Sequence, residues 1–350
     1  MSFADANEAD KTRYLQRLKN EIKYYSKKKN INEKVKSIFI GGGTPTVLAT
    51  KSISEILECI KNNFDVSSNV EITIEANPKT NIDFLNLRNI GINRISIGIQ
   101  SFNDRELNFL GRVHSSDLGI ENAKEAKKYF ENINIDLIYS IPHQTLESLK
   151  YSLQKAMELE LKHISAYSLI YENGTKTFEQ LTQNEFIPVN EELDFAMYMT
   201  ICNELENHGL RQYEVSNFAK EGCECKHNLN YWERGNYLGF GLAAHSLYAR
   251  KRFNNYSDFS RYCDVFENYD LLENANFVES EEILDAVQEK EETIFLGLRS
   301  AGVALTNFDK KQLAIVQEVV KNGYGEIKND KIILNSKGKF ICDEIVLKLI

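Results

Sequence analysis

Val35-Lys-Ser-Ile-Phe-Ile-Gly-Gly-Gly-Thr-Pro45 is the stretch on which the fold turns. Six residues weighted toward β-branched and aromatic types read as a strand, and they stop at three glycines and a Thr-Pro step, where the backbone is bare. The same event recurs downstream. Val70–Glu75 runs into Asn77-Pro78, Arg94–Ile99 into Gln100-Ser101, Ile133–Ile138 into a segment ending at Pro142, and His163–Ile170 into Asn173-Gly174. Helical periodicity fills the intervals over Ile53–Phe64, Asp104–Leu110, Leu118–Phe130 and Leu146–Leu159.

Strands alternating with helices at this spacing predict an α/β fold with a parallel sheet, a partial or whole βα-barrel. Polar residues gathered where each strand ends place a site at the C-terminal rim. Upstream, Tyr14, Leu15, Leu18, Ile22 and Tyr25 recur at threes and fours and predict an amphipathic helix over Lys11–Lys29. After residue 210 the chain turns loop-rich and aromatic, in Tyr213–Phe218, Cys223–Trp232 and Gly239–Ser246. From Leu284 two helical stretches precede a hairpin signal at Asn329-Asp330 and a terminal helix, a winged-helix-like order of mixed local charge. The expected units are 1–210 for the barrel, 211–283 for the aromatic segment and 284–350 for a small C-terminal α+β domain.

Composition excludes several classes. With 51 acidic against 42 basic residues, the chain lacks the basic clusters by which a non-specific nucleic-acid binder releases phosphate counterions. No apolar run reaches the length of a signal peptide or a membrane span, so a cytoplasmic protein is expected. Cys59, Cys202, Cys223, Cys225, Cys263 and Cys342 are scattered, which in a reducing compartment means free thiols unless a metal claims them.

Each candidate for chemistry also admits a plain reading. The three glycines let a ligand reach backbone N–H and C=O groups, or they form a tight turn. Glu75, Gln100 and Asp136 fall at or near successive strand ends, where each either meets a ligand or caps the next helix. Arg112, in Leu110-Gly-Arg-Val-His114, is either part of that rim or a surface charge. Together these groups suit a ligand carrying hydroxyls, an amine and a carboxylate.

Ile38-Phe-Ile-Gly-Gly-Gly-Thr-Pro-Thr46, Glu75-Ala-Asn-Pro78, Arg94–Phe102, Leu110–His114, Asp136-Leu-Ile-Tyr139 and His227-Asn-Leu-Asn-Tyr-Trp232 resemble the HemW-type haem chaperones. These belong to the radical S-adenosylmethionine group that includes oxygen-independent coproporphyrinogen III oxidase. The resemblance runs from about residue 12 to the C-terminus. It implies that Gly42, Gly43, Thr44, Glu75, Gln100, Arg112 and Asp136 contact S-adenosylmethionine, and that His227 handles haem. His245, in Gly241-Leu-Ala-Ala-His-Ser246, is a second candidate haem ligand, and each histidine also admits the reading of a buried ring bonded to backbone. The implied partners are haem and haem-accepting proteins, membrane-bound respiratory ones among them, with a homodimer as a compatible form.

One departure is large. The family opens with a strand leading into C-x-x-x-C-x-x-C, whose thiolates hold a [4Fe–4S] cluster, and no such motif occurs in this sequence. An aromatic segment that follows the motif in the family resembles Ser2-Phe3. The favoured expectation is a start upstream of Met1, and the alternative is real loss of the segment and of the first barrel strand, which leaves the edge of Val35–Ile40 open. Cys223, Cys225 and His227 are spaced to grip a metal but too closely to hold three irons of a cubane, so no metal ligands and no catalytic residues are assigned. Three functions are weighed: a haem chaperone, favoured by His227–Trp232; a radical decarboxylase of coproporphyrinogen III; and a degenerate barrel that binds a nucleotide-like ligand.

Overall fold

Polar and apolar residues alternate along every central strand, and that alternation shapes the architecture. The computed structural model describes residues 7–28, 31, 33–267 and 278–350; the Ser2-Phe3 resemblance and Lys29, the expected end of the first helix, lie outside them. Helix α1 occupies Glu8–Lys28. There follow β1 (Val35–Ile40), α2 (Thr50–Asn63), β2 (Val66–Ala76), α3 (Phe84–Asn89), β3 (Arg94–Gln100), α4 (Asp104–Phe109), α5 (Ser116–Ala126), β4 (Asn132–Tyr139), α6 (Leu146–Glu158) and β5 (His163–Ser168). Next come α7 (Lys176–Thr182), α8 (Glu191–Asn207), β6 (Arg211–Gln212) and β7 (Asn217–Ala219).

The seven strands form one sheet in the order β1-β2-β3-β4-β5-β7-β6. Strands β1 to β5 pair in parallel, and β7 closes the series antiparallel to both β5 and β6. The sheet is open, a partial barrel rather than a closed one, as the sequence predicts. Ile95, Ile97 and Ile99 point outward and are fully buried beneath the helices, with Ile72, Ile74, Ile133 and Ile135 beside them. Asp83, Asn103, Ser115, Thr145 and Asn190 each accept a backbone N–H as N-caps, which fixes where α3, α4, α5, α6 and α8 begin. Two limits differ from expectation. Helix α5 stops at Ala126, four residues short, because the backbone turns there, although Phe130 still reaches the core. Strand β2 starts at Val66 rather than Val70, its first residues lying near the surface.

The aromatic segment is more ordered than its composition suggests. Helix α9 covers Lys226–Trp232, and β8 (His245–Tyr248), β9 (Lys251–Asn255) and β10 (Val278–Ile283) form an antiparallel sheet with α10 (Phe259–Val265) against it. This unit docks on α1: Tyr25 stacks on Phe253 at 6.0 Å, and Glu21, fully buried, accepts from Tyr262 Oη, Gly241 N and Asn255 Nδ2 at 2.6, 2.9 and 2.6 Å.

Beyond it lie α11 (Ala286–Leu298), β11 (Val303–Ala304), α12 (Lys310–Lys321), β12 (Gly325–Lys328), β13 (Lys331–Leu334), α13 (Ser336–Phe340) and α14 (Cys342–Leu349). Asn329 and Asp330 both take positive φ, 51° and 57°, which is the two-residue hairpin turn read from the sequence. The helix-helix-hairpin-helix order is winged-helix-like. Phe340 anchors it by packing on Phe195 and Tyr198 of α8. Among the described residues no helix is long and apolar enough to cross a membrane.

Candidate functional site

The concave face of the sheet is polar from end to end. Glu71, Thr73 and Glu75 on β2 share it with Arg94, Ser96, Gly98 and Gln100 on β3, Asn134 and Asp136 on β4, and His163 and Ser165 on β5. Such a wall is costly to bury unless each group finds a partner or meets a ligand.

At the C-terminal rim the partners are few. Gly42 and Gly43 hold φ of 84° and 77°, a left-handed region that glycine enters without strain, and a Cβ added to either meets nothing within 4 Å. Their backbone faces open space. A Cβ on Gly41, by contrast, would stand 2.7 Å from Phe39 and 3.0 Å from the Glu75 carboxyl. The Gly42 N–H donates to Glu75 Oε2 at 3.1 Å, and Asn77 Nδ2 donates to Thr44 Oγ1 at 2.7 Å. Burial raises the Glu75 pKa, and the nearby Asp136 charge raises it further. Asp136 is itself raised by burial, against the hydrogen bonds it receives from Ser165, Asn134 and Ser96. Two carboxylates thus share a dry space and a cation between them would relieve both.

Arg112 supplies the rim with a cation. Its Nε is buried without a hydrogen-bond partner among the described residues, and burial lowers its pKa while Asp136 acts to raise it. His114 fixes the loop by donating its Nε2–H to the Ile99 carbonyl at 3.1 Å, and Glu106, buried behind it, accepts from Ser101, Gln144 and Ser148. Gln100 is 8% exposed and holds φ of 71°; its amide lies where a Cβ on Gly98 would be, at 2.8 Å. The structure therefore brings Gly42, Gly43, Thr44, Glu75, Gln100, Arg112 and Asp136 to one end of one sheet.

Along the open edge of the sheet, α9 packs against the edge strand β1. His227 lies flat on Phe39, ring centroids 4.7 Å apart at 22°; Tyr231 meets His227 edge-on at 4.7 Å, and Tyr237 meets Tyr231 edge-on at 4.5 Å. The result is a ladder of four rings, with Tyr231 exposed at its outer side. Burial and the Arg94 charge lower the His227 pKa to about 4, so the ring is neutral at physiological pH. Neither ring nitrogen has a hydrogen bond among the described residues. His245 is exposed on β8, not the buried histidine bonded to backbone that was its plain reading. The two histidines are not neighbours in a common contact.

Cys223, Cys225 and His227 do not converge. Cys225 turns its thiol toward Glu71 at 3.5 Å, and burial raises its pKa to about 11. Among the described residues no group of three His, Cys, Asp or Glu side chains is placed to hold a metal ion.

Sequence reasoning missed Glu71, Arg94, Asn134, His163 and Tyr213, which line the floor beneath the rim. The signal was present as period-two alternation: polar residues at 71, 73 and 75 or at 163 and 165 lie on one face of their strands.

A model of the radical SAM superfamily matches residues 5–156. The chain is 34% identical over 309 residues to "heme chaperone HemW" of Lactococcus lactis subsp. lactis (strain IL1403), covering 87% of this chain and 80% of the relative. It is 33% identical over 328 residues to the protein of the same name from Bacillus subtilis (strain 168), covering 89% and 84%. In structure it resembles the radical SAM enzyme coproporphyrinogen III oxidase (HemN) from Escherichia coli, with a TM-score of 0.79 at 20% identity over 98% of this chain and 84% of that one, a likeness of fold.

Proposed function

The chain belongs to the HemW haem chaperones of the radical SAM superfamily, and from that membership we propose that it binds haem on the α9 ladder and passes it to haem-accepting proteins. The observation that carries the reading is His227: a neutral imidazole with no hydrogen bond to its nitrogens among the described residues, lying flat on Phe39 and meeting Tyr231 edge-on. A neutral ring offers a lone pair to iron, and aromatic faces favour a porphyrin plane. His245, exposed on β8, is the second candidate ligand. The recipients, membrane-bound respiratory proteins among them, and a homodimeric form belong to the same proposal, as do the functional units 1–210, 211–283 and 284–350.

The rim fits S-adenosylmethionine. Gly42 and Gly43 supply bare backbone, Glu75 and Asp136 a carboxylate pair with no ion pair among the described residues, Arg112 a guanidinium whose Nε has no partner among them, and Thr44 and Gln100 neutral polar groups. When bound, that cofactor supplies a sulfonium open to reductive cleavage at an iron–sulfur cluster. The described residues do not fit a [4Fe–4S] cluster, since no three ligands converge. What they do is orient: the glycine backbone receives the ligand, and Glu75 and Asp136 face its positive groups.

Haem titration tests the reading. Haem added to the purified chain is expected to shift its Soret band, and His227→Ala to weaken that shift at least tenfold in affinity, whereas His245→Ala is expected to leave it in place. An unchanged spectrum in His227→Ala would dismiss His227 as the ligand.

A further inference from the structure

Beneath the rim, one chain of hydrogen bonds runs across the floor, and its polarity is fixed. Asn134 Nδ2 donates to Asp136 Oδ1 at 2.7 Å, which turns Asn134 Oδ1 toward His163 Nδ1, 2.6 Å away. An amide oxygen only accepts, so His163 carries its proton on Nδ1. His163 Nε2 is then an acceptor, and the Tyr213 hydroxyl 2.8 Å away donates to it. The Tyr213 oxygen is left free to accept the Cys225 N–H at 3.3 Å. Burial holds His163 neutral, its pKa far below the usual histidine value, consistent with one proton on the ring.

A second set of bonds reaches the same turn from β2. Glu71, 6% exposed, accepts the Lys226 N–H on one oxygen and the His227 N–H and Cys225 thiol on the other, at 3.3, 3.3 and 3.5 Å. Three consecutive backbone N–H groups at the start of α9 are thereby met by the barrel floor. Cys225, the N-cap, makes no cap bond with its own side chain, so nothing local replaces these contacts.

We infer that Glu71 and Tyr213 are positioning residues for His227: they clamp the first turn of α9 to the barrel floor and so fix where the imidazole stands against Phe39. Neither side chain touches that imidazole; both act through the backbone that carries it. The inference rests on the haem reading of α9 for its purpose, while the clamp itself is a statement about α9 alone. Because Asn134 also binds Ser96 and Ser165 through its amide, at 2.7 and 2.9 Å, the clamp is continuous with the wall that carries the rim residue Asp136.

The test pairs amide hydrogen exchange with haem titration on the full chain. In Tyr213→Phe and in Glu71→Ala, exchange at Cys225, Lys226 and His227 is expected to accelerate roughly tenfold or more, and haem affinity to fall roughly tenfold with a displaced Soret maximum. Glu71→Gln keeps an acceptor oxygen and is expected to fall between Glu71→Ala and the native chain. Tyr198→Phe, which removes a buried hydroxyl bonded to Gln212 at 2.7 Å and not to α9, is expected to change neither readout. Native exchange rates at α9 in Tyr213→Phe would overturn the clamp. Accelerated exchange in Tyr213→Phe, together with a native Soret band in His227→Ala, would support the clamp and remove the haem reading. Should Glu71→Ala fail to fold, Tyr213→Phe carries the test, since it deletes one oxygen and keeps the ring.

Discussion

The two ends of the same five parallel strands are built on opposite terms. At the floor, Asn134, His163, Tyr213 and Glu71 engage one another and the start of α9, so that little is left for a ligand. At the rim, Arg112 Nε has no partner among the described residues, burial raises the pKa of both Glu75 and Asp136 with the Asp136 charge raising that of Glu75 further, and Gly42 and Gly43 present bare backbone to open space. The floor is paired largely with itself, and the rim is complementary to something else. The floor's exception is Arg94, whose Nε, like Thr73 Oγ1 beside it, is buried without a partner among the described residues. A barrel whose interior is polar throughout thus divides into a part that holds the structure and a part that waits on a cofactor.

The sharpest way to break this contrast is Asn134→Ala. That change leaves the His163 Nδ1–H and the Ser96 and Ser165 hydroxyls short of a partner and takes one donor from Asp136. Each buried group left unsatisfied costs about 1–3 kcal/mol, so a loss of roughly 3–5 kcal/mol is expected by urea denaturation. A loss below about 1 kcal/mol would mean that the floor is no more structural than the rim.

Glu21 sharpens the comparison from a different direction. It has three donors, as many as the floor could give it, and yet burial raises its pKa from 4.5 to about 7. Saturation with hydrogen bonds does not by itself make a dry site hospitable to charge. Between pH 4.5 and about 7 the native state keeps a proton that the unfolded chain has lost, so this group's contribution falls as pH rises through that window. The fall is roughly 3 kcal/mol, complete above the folded value. In Glu21→Gln the decline is expected to disappear, checked by denaturation of both chains at several pH values. Parallel pH profiles would show that Glu21 is ionised and stable where it stands.

How much of this was legible beforehand follows from the same physics. The parallel strands were visible because Val35–Ile40 and its successors are apolar runs with Gly, Pro or polar residues at their ends, and the Asn329-Asp330 hairpin because two residues at positive φ favour that pair. The rim residues were visible because strand ends collect ligands in such sheets. The sheet of β8 to β10 was not, since Lys251-Arg-Phe-Asn-Asn255 and Val278–Ile283 show no clean apolar alternation and pair through backbone. Nor was the clamp: Glu71 and Cys225 are 154 residues apart, and no local pattern announces a contact at that separation. The exposure of His245 and the enclosure of His227 were likewise set by which elements pack on them.

Arg112→Ala probes the rim alone and should have the smallest effect on folding. The guanidinium makes no hydrogen bond through Nε, its pKa is already lowered by burial, and the loop beneath it is held by His114 and Glu106 rather than by Arg112 itself. Removing a cation with no ion pair among the described residues is expected to change stability by no more than about 0.5 kcal/mol. The same change deletes the rim's fixed positive group, and a charge-assisted bond of about 1.5–3 kcal/mol to a ligand carboxylate corresponds to a loss of roughly tenfold to a hundredfold in S-adenosylmethionine affinity by calorimetry. The two readouts must separate for the contrast to hold. If Arg112→Ala instead destabilises the fold as Asn134→Ala does and leaves the affinity intact, the unpartnered guanidinium is part of the wall, and the rim and floor are one continuous structural layer.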